Sequence, residues 1–264
     1  TCAILDDGSV SCWGYNGWGQ LGDGTTTTQR KTPTQTSSLG TGRTAVAISS
    51  GGAHTCAILD DGSVSCWGKN EYGELGDGTT TQRNTPTQTS SLGTGRTAVA
   101  ISSGGLHTCA ILDDASVSCW GYNVKGAFGD GTTSDSSTPT QTSSLGTGRT
   151  AVAISSGQYH TCAILDNASV SCWGWNDGGI LGDGTTTNRN TPTQTSSLGT
   201  GRTAVAISSG SSHTCAILDN GAVSCWGQGS NSQLGNGATS HRTTPTLTSS
   251  LGTGRTAMLL ITPD

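Results

Sequence analysis

Short apolar runs alternate with long polar stretches along this chain, and the alternation repeats. Ala45-Val46-Ala47-Ile48-Ser49 is a run of small and β-branched residues, ended by the turn Gly51-Gly52. His54 to Leu59 and Ser63 to Trp67 are two further short apolar segments, joined by Asp60-Asp61-Gly62. A Gly- and Asp-rich stretch, 68–81, comes next. The polar segment Thr85-Pro86-Thr87-Gln88-Thr89-Ser90-Ser91-Leu92 closes the unit. None of these runs has a helical period, and turn formers bound them, so each reads as a strand. The fourth is polar and carries a proline near its start, as an edge strand tolerates.

The unit recurs. The block CAILDDGSVSCWG opens at Cys2, returns unchanged from Cys56, and returns with small edits at Cys109, Cys162 and Cys215. The steps are 54, 53, 53 and 53 residues. A period near 50 marks a propeller or a solenoid, in which a unit cannot bury its own apolar face and needs neighbours. Four short strands per unit make a propeller blade. The expected fold is all-β: a β-propeller of five blades, each of four antiparallel strands, forming one domain over residues 1–264. The first copy lacks an inner strand, while Thr256 to Thr262 aligns with Thr44 to Ser50. Residues 257–262 are therefore expected to complete the first blade and close the ring, hiding two strand edges. The alternative is a fragment of a seven-bladed ring or a longer array.

Composition narrows the class. Hydrophobic residues make up 31%, charged residues 11%, and glycine supplies 41 positions. This suits β-structure with many tight turns. A formal net charge of −5 argues against a nucleic-acid binder, which needs a basic face. No apolar run is long enough to span a membrane.

The ten cysteines form five copies of C-x9-C: Cys2/Cys12, Cys56/Cys66, Cys109/Cys119, Cys162/Cys172 and Cys215/Cys225. A three-residue turn at Asp60-Asp61-Gly62, with Gly62 at the left-handed position, sets Leu59 opposite Ser63, Ala57 opposite Ser65 and Cys56 opposite Cys66. Directly opposed cysteines are close enough to bond. Five disulfides imply an oxidising compartment, and so an extracellular or cell-surface protein. Five pairs of buried free thiols in a cytosolic protein are the alternative. The C-x9-C spacing lacks the tight chelate of a metal site.

The segment HTCAILDDGSVSCWGKNEYGELGDG resembles the repeat of the regulator of chromosome condensation family. That repeat runs from a Gly-rich turn and His, through a small-apolar strand, to Trp-Gly-x-Asn-x-x-Gly-x-Leu-Gly. Here it reads Trp13-Gly14-Tyr15-Asn16 with Gly19-Gln20-Leu21-Gly22, and Trp67-Gly68-Lys69-Asn70 with Gly73-Glu74-Leu75-Gly76. The fifth copy is looser, Trp226-Gly227-Gln228-Gly229. The resemblance covers the whole chain and implies a β-propeller. Family members usually have seven blades where this chain shows five copies, and the cysteine pairs are not a general family feature. The name-giving activity is nucleotide exchange on a small GTPase. It ranks last here, because disulfides and acidity suit neither nucleus nor chromatin.

Residues that could carry chemistry are copied around the ring, which favours structural roles. His54, His107, His160 and His213 precede each Thr-Cys and are expected to bond a backbone group of the neighbouring blade; His241 falls in a loop. Asp60-Asp61 and its copies read as turn formers, with Ala115 and Ala168 strained where other copies place glycine. Leu-Gly-Asp-Gly at 21–24, 75–78 and 181–184 lacks the alternating acidic ligands of a calcium loop. Arg43, Arg96, Arg149, Arg202 and Arg255 are expected to pair locally with the Asp-Asp tips. No nucleophile has a base at a singular position, so no enzyme, cofactor or metal is expected. Asn167-Ala168-Ser169 is a glycosylation acceptor on a hairpin tip.

The functional signal lies where the copies differ. Variation concentrates before each His and after each Trp-Gly, at connections that leave a four-stranded blade on one face. Tyr15, Trp18, Tyr72, Leu106, Tyr122, Tyr159 and Trp175 fall there. Loops on a rigid frame are where binding resides, and Tyr and Trp are common anchors. The expected function is an extracellular binding or adhesion module that grips a protein or glycan, similar in this to the secreted family propellers that inhibit β-lactamases. A structural surface protein that self-assembles is the alternative.

Overall fold

The computed structural model describes residues 1–26 and 29–258. It is all-β apart from one 3-10 turn, Asp177–Gly179. Among the described residues no helix is long and apolar enough to cross a membrane. Five antiparallel sheets follow one another along the chain and form the blades of a propeller. The second contains Ala45–Ser50, His54–Leu59, Val64–Gly68 and Arg83–Gln88, in that spatial order. The third, fourth and fifth repeat this order. The first has three strands among the described residues, Cys2–Ile4, Val10–Gly14 and Arg30–Gln35.

The hairpin register matches the turn chemistry. Cys56 faces Cys66, Ala57 faces Ser65 and Ile58 faces Val64, and Leu59 donates its N–H to the Ser63 carbonyl at 2.8 Å. Each C-x9-C pair is a disulfide across one hairpin: Cys2–Cys12, Cys56–Cys66, Cys109–Cys119, Cys162–Cys172 and Cys215–Cys225, all with Cα atoms 4.1 Å apart. The second cysteine of every pair, Cys12, Cys66, Cys119, Cys172 and Cys225, is buried. Of the first cysteines, Cys56, Cys109 and Cys162 are buried, whereas Cys2 and Cys215 in the terminal sheets are half-buried.

The outer strand sits earlier than expected, at Arg83–Gln88 rather than 85–92. A bulge between Cys66 and Gly68 lets Arg83 pair with Gly68. Ser90 then leaves the ladder to bond the Gly76 carbonyl.

The apolar core lies between blades. Cys56, Ile58 and Val64 of the second sheet, with Leu75 from its loop, pack against Ala98, Ala110, Leu112 and Trp120 of the third. The opposite faces of the same strands, through Ala57 and Leu59, pack on the first sheet with Leu21 and Val10. Strand alternation therefore gives each blade two apolar faces, one for each neighbour. At the centre of each interface a tryptophan meets a glycine. Trp67 lies against Gly22, where an added Cβ would stand 2.8 Å from the indole nitrogen, and Trp120 lies the same way against Gly76. Gly22, Gly76, Gly129 and Gly182 are thus seats for Trp67, Trp120, Trp173 and Trp226 of the next repeats, while Gly235 in the fifth copy faces Thr248.

The interfaces are also hydrogen-bonded. Thr55 Oγ1 and Trp67 Nε1 both donate to the Gln20 carbonyl, each at 3.0 Å. The inner strands are joined by Ser103 N–H to Ser49 Oγ at 2.9 Å, repeated at Ser156–Ser102 and Ser209–Ser155. In the fifth sheet, His213–Leu218 is buried only at alternate positions, whereas the equivalent strands of sheets two to four are buried throughout. Ala257 donates to the Gly221 carbonyl as Ala45 does to Gly8. The expected closure by 257–262 falls, for 259–262, outside the described residues.

The hairpin tips carry the anticipated strain. Ala115 and Ala168 hold φ of 60° and 59° where Gly62 holds 75°. A left-handed alanine costs roughly 1–2 kcal/mol, of which glycine's extra unfolded-state freedom offsets about half. Ala115→Gly and Ala168→Gly are each expected to raise stability by about 0.5–1 kcal/mol. Gly62→Ala is expected to lower it by more than that, because its Cβ would stand 2.5 Å from Thr97 Cβ. Urea unfolding of the single variants measures both signs, and a destabilised Ala115→Gly would contradict the strain argument.

Candidate functional site

The repeated polar residues are consumed by the scaffold. His54 Nε2 lies 2.9 Å from Thr108 Oγ1, His107 2.9 Å from Thr161 and His160 3.0 Å from Thr214. The partner is a threonine hydroxyl of the next blade, not the backbone group expected from sequence. Thr108, Thr161 and Thr214 each follow a histidine, and each is the partner of the histidine of the preceding blade. Burial lowers the pKa of His54 to about 4, with Lys69 adding to it. Burial also lowers His107 and His160 to about 3, and the neighbouring histidines add to the effect. His213 is half-buried and is lowered by that burial.

Each Asp of the Leu-Gly-Asp-Gly step is the hub of a loop. Asp77 Oδ1 accepts from Thr79 Oγ1 at 2.7 Å and Asn70 Nδ2 at 3.3 Å, and Oδ2 accepts from Arg83 Nε at 2.8 Å. Burial opposes its charge, but these donors more than offset that and hold it below the usual carboxylate range. Asp23 and Asp183 repeat the arrangement. Asn70 in turn accepts the Leu75 N–H at 2.9 Å, so the Trp-Gly-x-Asn motif pins the loop that seats the next tryptophan. On the opposite face Arg43 pairs with Asp60 and Asp61 at 3.2 and 3.3 Å, and Arg96, Arg149 and Arg202 pair likewise. These pairs are exposed and contribute little.

The cysteines likewise belong to the scaffold rather than to a reactive site. Cys12, Cys119, Cys172 and Cys225 sit, like Cys66, on the later strand of each cross-linked hairpin, walled off from solvent and bonded to the strand before it. Cys119 Sγ also lies 3.8 Å from Thr142 Oγ1, and Cys56, Cys109 and Cys162 lie as near to the threonines that receive the histidines. Among the described residues no group of three or more His, Cys, Asp or Glu side chains stands together to hold a metal ion.

The variable positions behave differently. Four of the sequence-selected rings touch in series. Tyr72 and Tyr122 have centroids 5.0 Å apart at an interplanar angle of 69°. Tyr122 and Tyr159 follow at 5.6 Å, and Tyr159 and Trp175 at 5.9 Å and 82°. Lys69 extends the series, its Nζ 5.3 Å from the Trp18 ring centroid and 5.6 Å from that of Tyr72. The result is one arc, Trp18–Lys69–Tyr72–Tyr122–Tyr159–Trp175, across four blades. Tyr159 comes from a connection between first and second strands and Tyr122 from one between third and fourth, so both kinds of connection do share a face. All six side chains are half-buried. Tyr15 is outside the arc, 65% exposed, its hydroxyl folded back towards Gly17.

The arc borders a cavity of ≈ 490 Å³ where the inner strands converge. Trp18, Lys69, Leu106 and Tyr159 line it, with Ser50, Ser103, Ser156 and Ser209 and the glycine turns below. Sequence reasoning did not select Lys69 as a site residue, although it occupies the same repeat position as Tyr122 and Trp175. Burial works against its charge, but a 2.8 Å ion pair with Glu71 raises its pKa. The serines were also missed, because their copies look like plain strand residues. Next to the arc, Glu74 is fully buried and its pKa is raised by that burial. One of its oxygens accepts the Tyr72 N–H at 2.8 Å.

The blades, the tryptophan–glycine seats and the loop face define an RCC1-type propeller. A model of the RCC1-like domain matches residues 1–261, and the chain belongs to that family. It is 30% identical over 249 residues to the ultraviolet-B receptor UVR8 of Arabidopsis thaliana, covering 94% of this chain and 56% of UVR8. It is 32% identical over 241 residues to the human E3 ubiquitin-protein ligase HERC2, covering 90% of this chain and 5% of HERC2. The chain thus spans about half the length of UVR8 and a small part of HERC2. Among solved structures, human WBSCR16 matches with TM-score 0.82 at 20% identity, over 95% of this chain and 65% of that one. Yeast RCC1 (Prp20), solved with Kap60 bound, matches with TM-score 0.82 at 20% identity, over 96% and 59%. These two likenesses establish the fold alone.

The buried histidines make stability fall in mild acid. Below the ordinary value of 6.5 the unfolded chain takes up protons at His54, His107 and His160, while the folded chain resists until about 4 or 3. Each histidine then removes up to about 1.4 kcal/mol per pH unit across that window. The lowered Asp23, Asp77 and Asp183 act only below 3.8. Unfolding free energies at pH 7, 6 and 5 are expected to drop steeply, and His107→Asn is expected to flatten the slope by one proton. A level profile from pH 7 to 5 would contradict the histidine–threonine relay.

Proposed function

We propose that this propeller is a non-enzymatic extracellular binding module that holds a protein or glycan ligand on its aromatic loop face. The observation that carries the reading is the arc itself. Its large rings occupy positions the repeat does not require, since equivalents in other copies are Gly178, Lys125, Ala53 or Ser212. Selection for folding alone leaves such positions free, yet the rings converge into one surface beside one cavity. Large half-buried aromatics on a fixed frame are effective anchors. The formal charge of −5 gives no support to a nucleic-acid ligand.

The extracellular placement rests on the five disulfides, which persist in oxidising surroundings. Asn167, exposed at its hairpin tip with its side-chain oxygen accepting from Ser169, is the site where such a protein would carry a glycan. Intact-mass analysis of native material, alkylated before reduction, is expected to show no free thiols. In a host that glycosylates it should show added hexose mass at Asn167. Ten alkylated cysteines would place the protein in a reducing compartment, and a bare Asn167 in a glycosylating host would remove that site.

Trp18→Ser combined with Trp175→Ser tests the binding face. Melting is expected to change little, while capture of a ligand from native surroundings weakens by about 2 kcal/mol for each hot-spot ring. Loss of folding would make these rings part of the core. Undiminished capture would move the function to the opposite face.

A further inference from the structure

The chemistry of the cavity beside the arc narrows the ligand class, on the reading that this face binds. Among the described residues its lining holds one charged side chain, Lys69, and that charge is neutralised by Glu71 at 2.8 Å. The lining so described leaves no free cation to meet a carboxylate, sulfate or phosphate, and no free anion to meet a basic peptide. The walls instead carry hydroxyls from Ser50, Ser103, Ser156 and Ser209 and the amide of Gln158; Ser103, Ser156 and Ser209 donate their protons to the carbonyls of Ser49, Ser102 and Ser155, so these three hydroxyls meet a ligand as acceptors. Gln158 Oε1 accepts from Ser211 Oγ at 2.6 Å, which orients its amide nitrogen as a remaining donor. The floor is glycine, whose N–H groups at 51, 52, 104, 105, 157 and 210 are already donated to carbonyls within the protein.

Peptide capture by strand addition is disfavoured by the same strands. It requires free N–H groups on an exposed edge. The inner-edge N–H groups of Ser103, Ser156 and Ser209 are already donated to the serine of the preceding blade. What remains is a rim of aromatic rings over a wall of hydroxyls, with no net charge to satisfy. A volume of ≈ 490 Å³ lies within the range of roughly 300–1,000 Å³ used by small-ligand sites.

We infer that the cavity and arc bind a neutral oligosaccharide, with its apolar ring faces stacked on Tyr122, Tyr159 and Trp18 and its hydroxyls bonded to the serine wall and Gln158. The stacking tolerates many sugar sequences, and the hydroxyl wall supplies orientation. Binding of an uncharged ligand at a neutralised site is independent of salt.

Calorimetric titration of the full chain with neutral hexose and N-acetylhexosamine oligosaccharides, and with sulfated and uronate oligosaccharides, tests this. At least one neutral oligosaccharide is expected to bind saturably, with equal affinity at low and high salt. Tyr122→Ala with Tyr159→Ala is expected to lower that affinity by about tenfold or more, the equivalent of one lost anchor. Tyr122→Phe with Tyr159→Phe keeps the ring faces and is expected to retain it, which separates stacking from a folding defect. Binding confined to charged sugars, a steep salt dependence, or affinity that survives the alanine pair would each overturn the inference. So would a panel in which no neutral oligosaccharide binds. If a captured protein is then lost in the Trp18/Trp175 variant, the binding face stands and only the ligand class falls. If capture too is unaffected by that variant, both fall.

Discussion

The contact on which this molecule depends is one that no repeat makes with itself. Trp67 of the second repeat rests on Gly22 of the first, and the carbonyl of Gln20 takes hydrogen bonds from Trp67 and Thr55 together. An indole fully removed from water is a large apolar gain, but its N–H must find an acceptor. For Trp67 and Trp173 the preceding loop supplies both the flat seat and the acceptor, whereas the buried N–H groups of Trp120 and Trp226 have the seat without an acceptor. Any side chain at Gly22 would fill the seat, and its φ of +71° independently favours glycine. Asn16 and Asp23 exist in this scheme to hold the loop still, through Leu21 N–H and Thr25. The repeat motif is therefore half of an interface written at one end and half at the other, and only stacking brings the halves together.

A chain with 31% hydrophobic residues has little apolar area to spare, and the disulfides lie where that shortage is felt. Cys56 and Cys66 are in the same cluster as Trp120 of the next blade, and Cys109 and Cys119 in that of Trp173. Cys162 and Cys172 join Trp226 in the same way, and Cys12 joins Trp67. Each bond ties together the two strands that carry apolar groups to both neighbours. A cross-link of this kind restrains the unfolded chain, by roughly 2–3 kcal/mol for a short loop, and also holds the hairpin register on which alternation depends. One residue of slip would send Ile58 and Ala57 to each other's interfaces.

Much of this was legible because the repeat writes the same answer five times. The hairpin register, the cysteine pairing and the strained alanines at 115 and 168 followed from local turn chemistry, which needs no neighbour. The outer strand was misplaced because its start is set by a bulge between Cys66 and Gly68, which depends on how two strands pair and not on either alone. The histidine partner was misread for a related reason. His54 and Thr108 are 54 positions apart, so their bond exists only between blades, and a sequence read one unit at a time sees two unrelated polar residues. The candidate face was legible as a set of differences, but its continuity was not. Tyr122 and Tyr159 occupy different positions of different repeats, and only the geometry of the connections makes them neighbours.

That distribution also explains how the arc exists without becoming a liability. A contiguous apolar strip on a surface invites association. Here each ring packs edge or tilted against the next, an arrangement that satisfies the quadrupole of both partners and half-buries each one. Lys69 bridges the gap between Trp18 and Tyr72 by offering a cation to two ring faces while Glu71 balances its charge. The rings are therefore held by one another rather than by the blade cores, which is why a scaffold repeated almost without change can carry a surface that is not. The scaffold fixes where each loop emerges, and the loops alone determine what the face presents.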